Sequence, residues 1–319
     1  MSAVEEPPTG GALTQVKAER PRPSEQRALA MALTANLVWG LSIFPYKWLT
    51  HVPVLELNAH RFVWSGLAVG LLLWFSGRLG EVRAAVANRH LRAILPLSAL
   101  LLGANATIYV IGIASNRVLE VSFGYFMSPL LLVGIGALLL GERLNGAQRL
   151  ALALSVAACG VMAFGLDQIP WLGFAAAATW AAYAFIRKRT PVAAVPAFFL
   201  ECALLMGPSL LLIVMLETRG AGHFLVAPAT SALIVGTLFV TALPLVLFAA
   251  ANLRLRLATM GQMQYIAPSI QFLIAILIYH EPADAARLTS FALIWLALAV
   301  FTLDMIRRER TSDSKSEIV

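Results

Sequence analysis

Ten apolar segments of about helix length, split by very short polar breaks, fill the chain from Ala28 to Ile306. A hydrocarbon core about 30 Å thick takes roughly 20 apolar residues to cross as a helix, and irregular backbone facing lipid is not tolerated. The first half gives expected spans at Ala28–Leu49, Pro53–Phe75, Ala93–Ile113, Val118–Leu140 and Ala147–Phe164. The second gives Trp171–Ile186, Val195–Leu216, Ser231–Asn252, Ala258–Tyr279 and Leu288–Ile306. The fifth and sixth are short and free to shift or merge. A composition of 59% hydrophobic and 13% charged residues argues against a soluble all-helical protein. The expected fold is an all-α membrane protein with ten transmembrane helices.

Those spans use up the length. The longest break, Ser76–Arg92, is too short and too polar to bury a core of its own. A net charge of +7 would suit nucleic acid, but the placement of the basic residues argues for topology instead. With the N-terminus in the cytoplasm, the outer segments hold Lys47, Arg117, Arg219 and Arg287, and Arg61 lies within the second span. The remaining 19 of 24 Lys and Arg all fall inside, as in Arg78, Arg83, Arg89 and Arg92, or Arg187, Lys188 and Arg189. Cytoplasmic loops retain Lys and Arg in this way. The expectation is a multi-pass protein of the cytoplasmic membrane with both termini inside. Its partners are the lipid bilayer and a small-molecule substrate, not nucleic acid, and a homodimer is compatible with the sequence.

Residues 1–27 are expected to be a disordered cytoplasmic tail, with Pro7, Pro8, Pro21 and Pro23 among acidic and basic residues. They lack the basic-then-apolar order of a cleaved signal, so the first span reads as an uncleaved signal-anchor. Cys159 and Cys202 lie in apolar spans and read as packed thiols rather than a disulfide framework.

The chain also resembles itself. Arg117–Pro129 runs parallel to Arg256–Pro268 at an offset of 139 residues; each stretch starts with Arg and has an aromatic residue three before its Pro, Phe126 and Tyr265. Thirteen residues past each Pro stands an acid, Glu142 or Glu281. Trp39, Phe44 and Lys47 are echoed by Trp180, Phe185 and Lys188 at an offset of 141. Five spans per copy is an odd number, so the copies, 28–166 and 167–306, must be inverted relative to each other, with 307–319 a cytoplasmic tail. Two such repeats that exchange conformations would turn an inward-open cavity into an outward-open one.

The run Ser115–Leu130 resembles the signature of RarD-type transporters, in the EamA-like branch of the drug/metabolite transporter superfamily. So do Glu56–Ser65, Gln264–Leu273 and Phe291–Leu298, and the resemblance extends in order from about residue 30 to 306. It implies a ten-helix inner-membrane protein with two inverted repeats that moves small metabolites or drugs. It implies no set of binding residues, so the candidates rest on physics.

Polar groups within spans usually face a bundle interior or a watery cavity, because charge at the bilayer centre is expensive. On the second span Glu56, His60 and Trp64 share one helical face at i, i+4, i+8, with Asn58, Arg61 and Ser65 on the adjoining face. These residues suit the outer part of a substrate or proton path. They equally suit a structural ion pair in which Glu120 or Glu56 neutralises Arg61. The fourth span offers Tyr125 and Phe126 beside a helix-kinking Pro129, and the ninth offers Gln262, Tyr265 and Gln271 beside Pro268. Asn105 and Tyr109, one turn apart, with Thr241 and Pro244, are further candidates. Amides and aromatic rings suit a small, partly apolar substrate, and amides also serve as interhelical ties. Glu201 is either a protonatable coupling group or the partner of a basic residue at the cytoplasmic end. The site is expected between the halves, with Trp64 and Tyr125 facing Tyr265 and Gln271 across a cavity.

Small residues such as Gly66 and Gly70 mark close helix packing, and Trp48, Trp74 and Trp171 mark interfaces. His280-Glu281 starts like a zinc motif, but position 284 is Asp, and Gly134-Ile-Gly136 lies in a span with no strand before it. No cofactor or metal is implied, and no enzyme. The expected function is a secondary carrier, most plausibly an exporter; the alternatives are a non-transporting membrane subunit or an intramembrane enzyme.

Overall fold

The computed structural model describes residues 24–115, 117–164, 169–190, 192–280 and 284–316, and all of its regular structure among these is helical. In the first half α1 (Glu25–Leu41), α2 (Ile43–Trp48), α3 (Val54–Phe75) and α4 (Leu79–Ala87) precede α5 (Arg89–Ala114), α6 (Val118–Leu139) and α7 (Gly146–Phe164). In the second, α8 (Trp171–Arg189), α9 (Ala194–Thr218) and α10 (Pro228–Arg254) lead to α11 (Leu257–Met263), α12 (Ile266–Leu277) and α13 (Ala285–Ser316). Each expected apolar segment falls on one helix or on a broken pair. The Arg117–Pro129 stretch enters α6 at its start, and its echo enters α11.

Six stretches are long and apolar enough to cross a bilayer, within α1–α2, α5, α7, α9, α10 and α13. α3 and α4 make a seventh if taken together, although they meet at a bend of 109°. Two of the other expected spans fall short for local reasons: α8 ends in Arg187, Lys188 and Arg189, and the ninth segment is broken into α11 and α12. In α6, Phe123–Leu139 is a shorter apolar helix among the described residues. Residues 1–23 and Glu281 lie outside the described residues. α1 starts at Glu25, capped by the Ser24 hydroxyl, and α13 continues to Ser316.

Both breaks have a proline cause. Pro45 lies three residues past Ser42, and Pro268 three past Tyr265; a proline supplies no N–H to the preceding turn and crowds its carbonyl. At the first break the Trp39 carbonyl accepts from the Ser42 hydroxyl at 2.6 Å and from Gln271 Nε2 at 2.9 Å. At the second, Gln264 Oε1 accepts from Trp180 Nε1 at 2.8 Å. Interrupted backbone at membrane depth needs such partners.

α4 is an unforeseen element. This short helix after the 109° turn buries Ala85 with Leu91, Leu95, Val192 and Ala197, against α5 and α9.

The principal packing pairs have a regularity. Counting α1–α2 and α11–α12 as one column each and setting α4 aside, the ten columns pair as follows. α6 lies on α8 while α1 lies on α12; α5 lies on α8 while α1 lies on α10; α5 lies on α9 while α3 lies on α10. In each case the second pair is the first with every column moved five places. Three pairs map onto themselves: α3 with α9, α6 with α11 and α7 with α13. At α3–α9 the expected close packing is seen: a Cβ on Gly66 would come within 2.7 Å of Met206 Cε, and one on Gly70 within 2.8 Å of Phe199. Among the described residues α8 also packs on α10.

Candidate functional site

Arg61 anchors the site. It projects from α3 with its Nε donating to Thr241 Oγ1 on α10 at 2.8 Å and its Nη1 donating to Asn58 Oδ1 at 2.8 Å. Asn58 is itself held by donation to the Ala106 carbonyl of α5 at 3.3 Å. The guanidinium carbon lies 5.5 Å from the centre of the Tyr46 ring on α2. Tyr109 of α5 and Tyr125 of α6 meet edge-on, with centroids 5.9 Å apart, within electrostatic reach of Arg61. Tyr125 is 49% exposed. Side chains from five columns, three tyrosines among them, thus gather around one cation, and this cluster is the candidate chamber.

The expected neutralisation of Arg61 by Glu120 or Glu56 is not what the structure shows. Glu120 pairs with Arg117, whose Nη2 donates to Glu120 Oε2 at 2.9 Å. Glu56 accepts from the His223 backbone N–H at 2.6 Å and lies 2.8 Å from His223 Nδ1. Both acids are committed elsewhere because each has a nearer donor: one three residues before it, one on the loop above it.

That loop, between α9 and α10, also places His60 and Trp64. Phe224 stacks on His60 at 4.7 Å and packs against Trp64 at 5.6 Å. His60 Nε2 is 4.0 Å from Glu56 Oε1, and neither its ring nitrogens nor the Trp64 Nε1 makes a hydrogen bond among the described residues. Glu56, His60 and Trp64 therefore do share a face, as their spacing predicts, but a loop covers it. Trp64 packs with Leu49, Val52 and Leu57, not opposite Tyr265.

The second-half candidates are placed differently from expectation. Tyr265 is fully buried, and its hydroxyl donates to the Phe126 carbonyl at 3.0 Å; Phe126 packs in turn on Phe291 at 4.9 Å. Both belong to the core joining α6, α7, α12 and α13. Gln271 serves the broken first span. Gln262 is buried on α11 with no hydrogen bond to its Oε1 among the described residues. Asn105 donates to the Ala176 carbonyl at 2.8 Å and to Thr179 Oγ1 at 3.1 Å, tying α5 to α8. A polar or aromatic residue inside a membrane bundle has two uses, and for these the interhelical tie is what the geometry displays.

Glu201 has a basic partner near the end of α8: Arg187 Nε lies 3.5 Å from its Oε1, with both side chains buried. Ser98 donates to Glu201 at 2.7 Å and Tyr183 at 3.2 Å. Sequence reasoning missed Tyr46, His223 and Phe224. Tyr46 sits among residues that read as an ordinary span end, and the other two lie in a loop that carries no motif.

A solved crystal structure matches this chain with a TM-score of 0.70 at 20% identity, over 91% of this chain and 100% of that one, so the fold is shared. The model of the EamA-like transporter family matches residues 26–164. An uncharacterized transporter of Pseudomonas aeruginosa is 37% identical over 89% of this chain and 96% of its own length. The protein RarD of Streptomyces exfoliatus is 35% identical over 92% and 94%, and that of Escherichia coli 30% over 89% and 97%. The chain belongs to the EamA-like transporter family. Within it, the RarD proteins are relatives along nearly their whole length, and the resemblance read from Ser115–Leu130 and Gln264–Leu273 holds. This EamA-like chain is a multi-pass membrane transporter.

Proposed function

We propose that the chain is a secondary carrier that exports a small metabolite or drug across the cytoplasmic membrane by alternating access. Its two inverted repeats would be 28–166 and 167–306, with both termini in the cytoplasm. The observation that carries this reading is the exchange symmetry of the helix contacts. Two contacts between repeat mates support it: Trp39 and Trp180 lie 5.7 Å apart edge-on, and Tyr265 bonds to Phe126. An inverted repeat of this kind supports a carrier because a small difference between halves can be swapped from one half to the other.

α8 and α10 are clasped where Lys188 Nζ donates to the carbonyls of Asn252, at 3.1 Å, and Leu255, and where Asn252 Nδ2 donates to the Ala184 carbonyl at 2.7 Å. In the proposed topology this clasp closes the cytoplasmic end. Lys47 is the repeat mate of Lys188, and it lies over the Tyr279 ring at 4.7 Å. Opening the α8–α10 clasp would expose the site to the other side of the membrane.

Comparing the metabolites in the medium of cells lacking and overexpressing the protein tests the carrier reading. Accumulation of a defined small molecule that follows expression is expected; identical media at verified membrane expression would overturn it. Reporter fusions after Arg89 and Arg189 are expected in the cytoplasm, and those after Arg117 and Gly220 outside. An outside signal after Arg189 would contradict the ten-span topology.

A further inference from the structure

We propose that the chamber takes a small organic acid, with its carboxylate on the Arg61 guanidinium and its apolar or aromatic body against Tyr46, Tyr109 and Tyr125. This assignment rests on the carrier reading for its meaning in transport, but the binding chemistry stands on the geometry of Arg61.

Arg61 is partly exposed, within a span, and its protein contacts among the described residues are neutral: Thr241, Asn58 and the Tyr46 ring. A guanidinium carries five N–H donors. Two are used in these bonds, and Nη2 has no hydrogen bond to protein among the described residues. Neutral hydroxyl and amide partners fix the direction of the side chain without cancelling its charge. A cation held in a low-dielectric bundle without a counter-ion is costly, and an arriving anion removes that cost. Among the described residues no acid pairs with this charge, and Glu56 and Glu120 are held by other donors.

The charge count selects the acid. Lys47, the neighbouring cation on α2, is turned to the Tyr279 ring, so a single guanidinium faces the ligand. One guanidinium balances one carboxylate, and its planar fork matches that group in bidentate fashion. A phosphate dianion would leave a net negative charge in the same space. The tyrosines supply rings for an apolar body to lie on, and their hydroxyls supply further donors.

The test uses the purified full chain in detergent and matched pairs that differ in charge alone: benzoate with benzamide, and phenylacetate with phenylacetamide. Thermal stabilisation by at least one acid is expected, with the apparent affinity about tenfold or more above that of its amide, since a charge-assisted bidentate contact is roughly twice as strong as a neutral one. In Arg61→Gln the preference is expected to vanish. In Arg61→Lys it is expected to persist in weaker form, because the charge remains and the fork is lost. Equal response to acid and amide in the wild type, or none to either, overturns the assignment whether or not the variants accumulate. A preference that survives in Arg61→Gln overturns it as well. Export measurements separate the two readings: a wild type that exports only neutral or cationic metabolites contradicts the organic acid and leaves the carrier. A wild type that binds acids but moves nothing supports the site and contradicts the carrier.

Discussion

Arg187 and Glu201 illustrate how a membrane bundle treats its charges. Both are buried, and the pair is completed by Ser98 and Tyr183. Removing one partner of a buried pair leaves an uncompensated charge and costs about 3–5 kcal/mol, whereas replacing both by apolar or neutral groups is often close to neutral. Glu201→Gln is therefore expected to lower the melting temperature of the detergent-purified protein strongly, and Arg187→Met combined with Glu201→Gln to recover most of the loss. Equal melting of Glu201→Gln and wild type would show that the pair contributes nothing. From sequence, Glu201 read either as a coupling group or as the partner of a cytoplasmic-end cation. The choice depends on which face of α8 meets α9, a tertiary fact that helical spacing does not encode. For the same reason Tyr265, Gln271 and Asn105 were visible as polar groups in spans, while their use as ties between helices was not. Arg61 was visible too, and only its neutral partners, Thr241, Asn58 and the Tyr46 ring, had to come from the fold.

At the scale of elements, close approach and broken helices set the architecture. α6 and α8 touch at Gly124 and Gly173, and a Cβ on Gly173 would sit on the Glu120 carbonyl oxygen. Backbone cannot yield as a flexible side chain does. Gly173→Ala is expected to destabilise by about 1–3 kcal/mol and to reduce membrane accumulation. Gly160→Ala on α7, where a Cβ meets nothing within 4 Å, is expected to be neutral or mildly stabilising. Matching accumulation of the two variants would contradict the α6–α8 contact. The apolar segments predicted all the long helices, because burial in lipid leaves the backbone no alternative. α4 escaped notice because its nine residues, with Glu81 and Arg83 among alanines and valines, are too short and too mixed to stand out as a span. The α9–α10 loop likewise has no periodicity to read, although it seats Phe224 on His60.

For the whole molecule, the account turns on the clasp between α8 and α10. Lys188→Met removes the donor that holds the carbonyls of Asn252 and Leu255. A charge-assisted hydrogen bond is worth about 1.5–3 kcal/mol, which shifts a two-state equilibrium roughly tenfold or more. A cysteine at Ala184, beneath the clasp, is expected to react with an impermeant maleimide from the cytoplasmic side about tenfold faster in Lys188→Met. An unchanged rate would show that the clasp is not a gate.

The most direct measurement places a cysteine at Tyr125 in a background with Cys159 and Cys202 replaced by Ala, both native thiols being buried. Right-side-out and inside-out vesicles are then treated with an impermeant maleimide. Alternating access to one central chamber predicts labelling of position 125 from both sides, with that from the cytoplasmic side enhanced by Lys188→Met. Labelling from one side only, in both backgrounds, would contradict it.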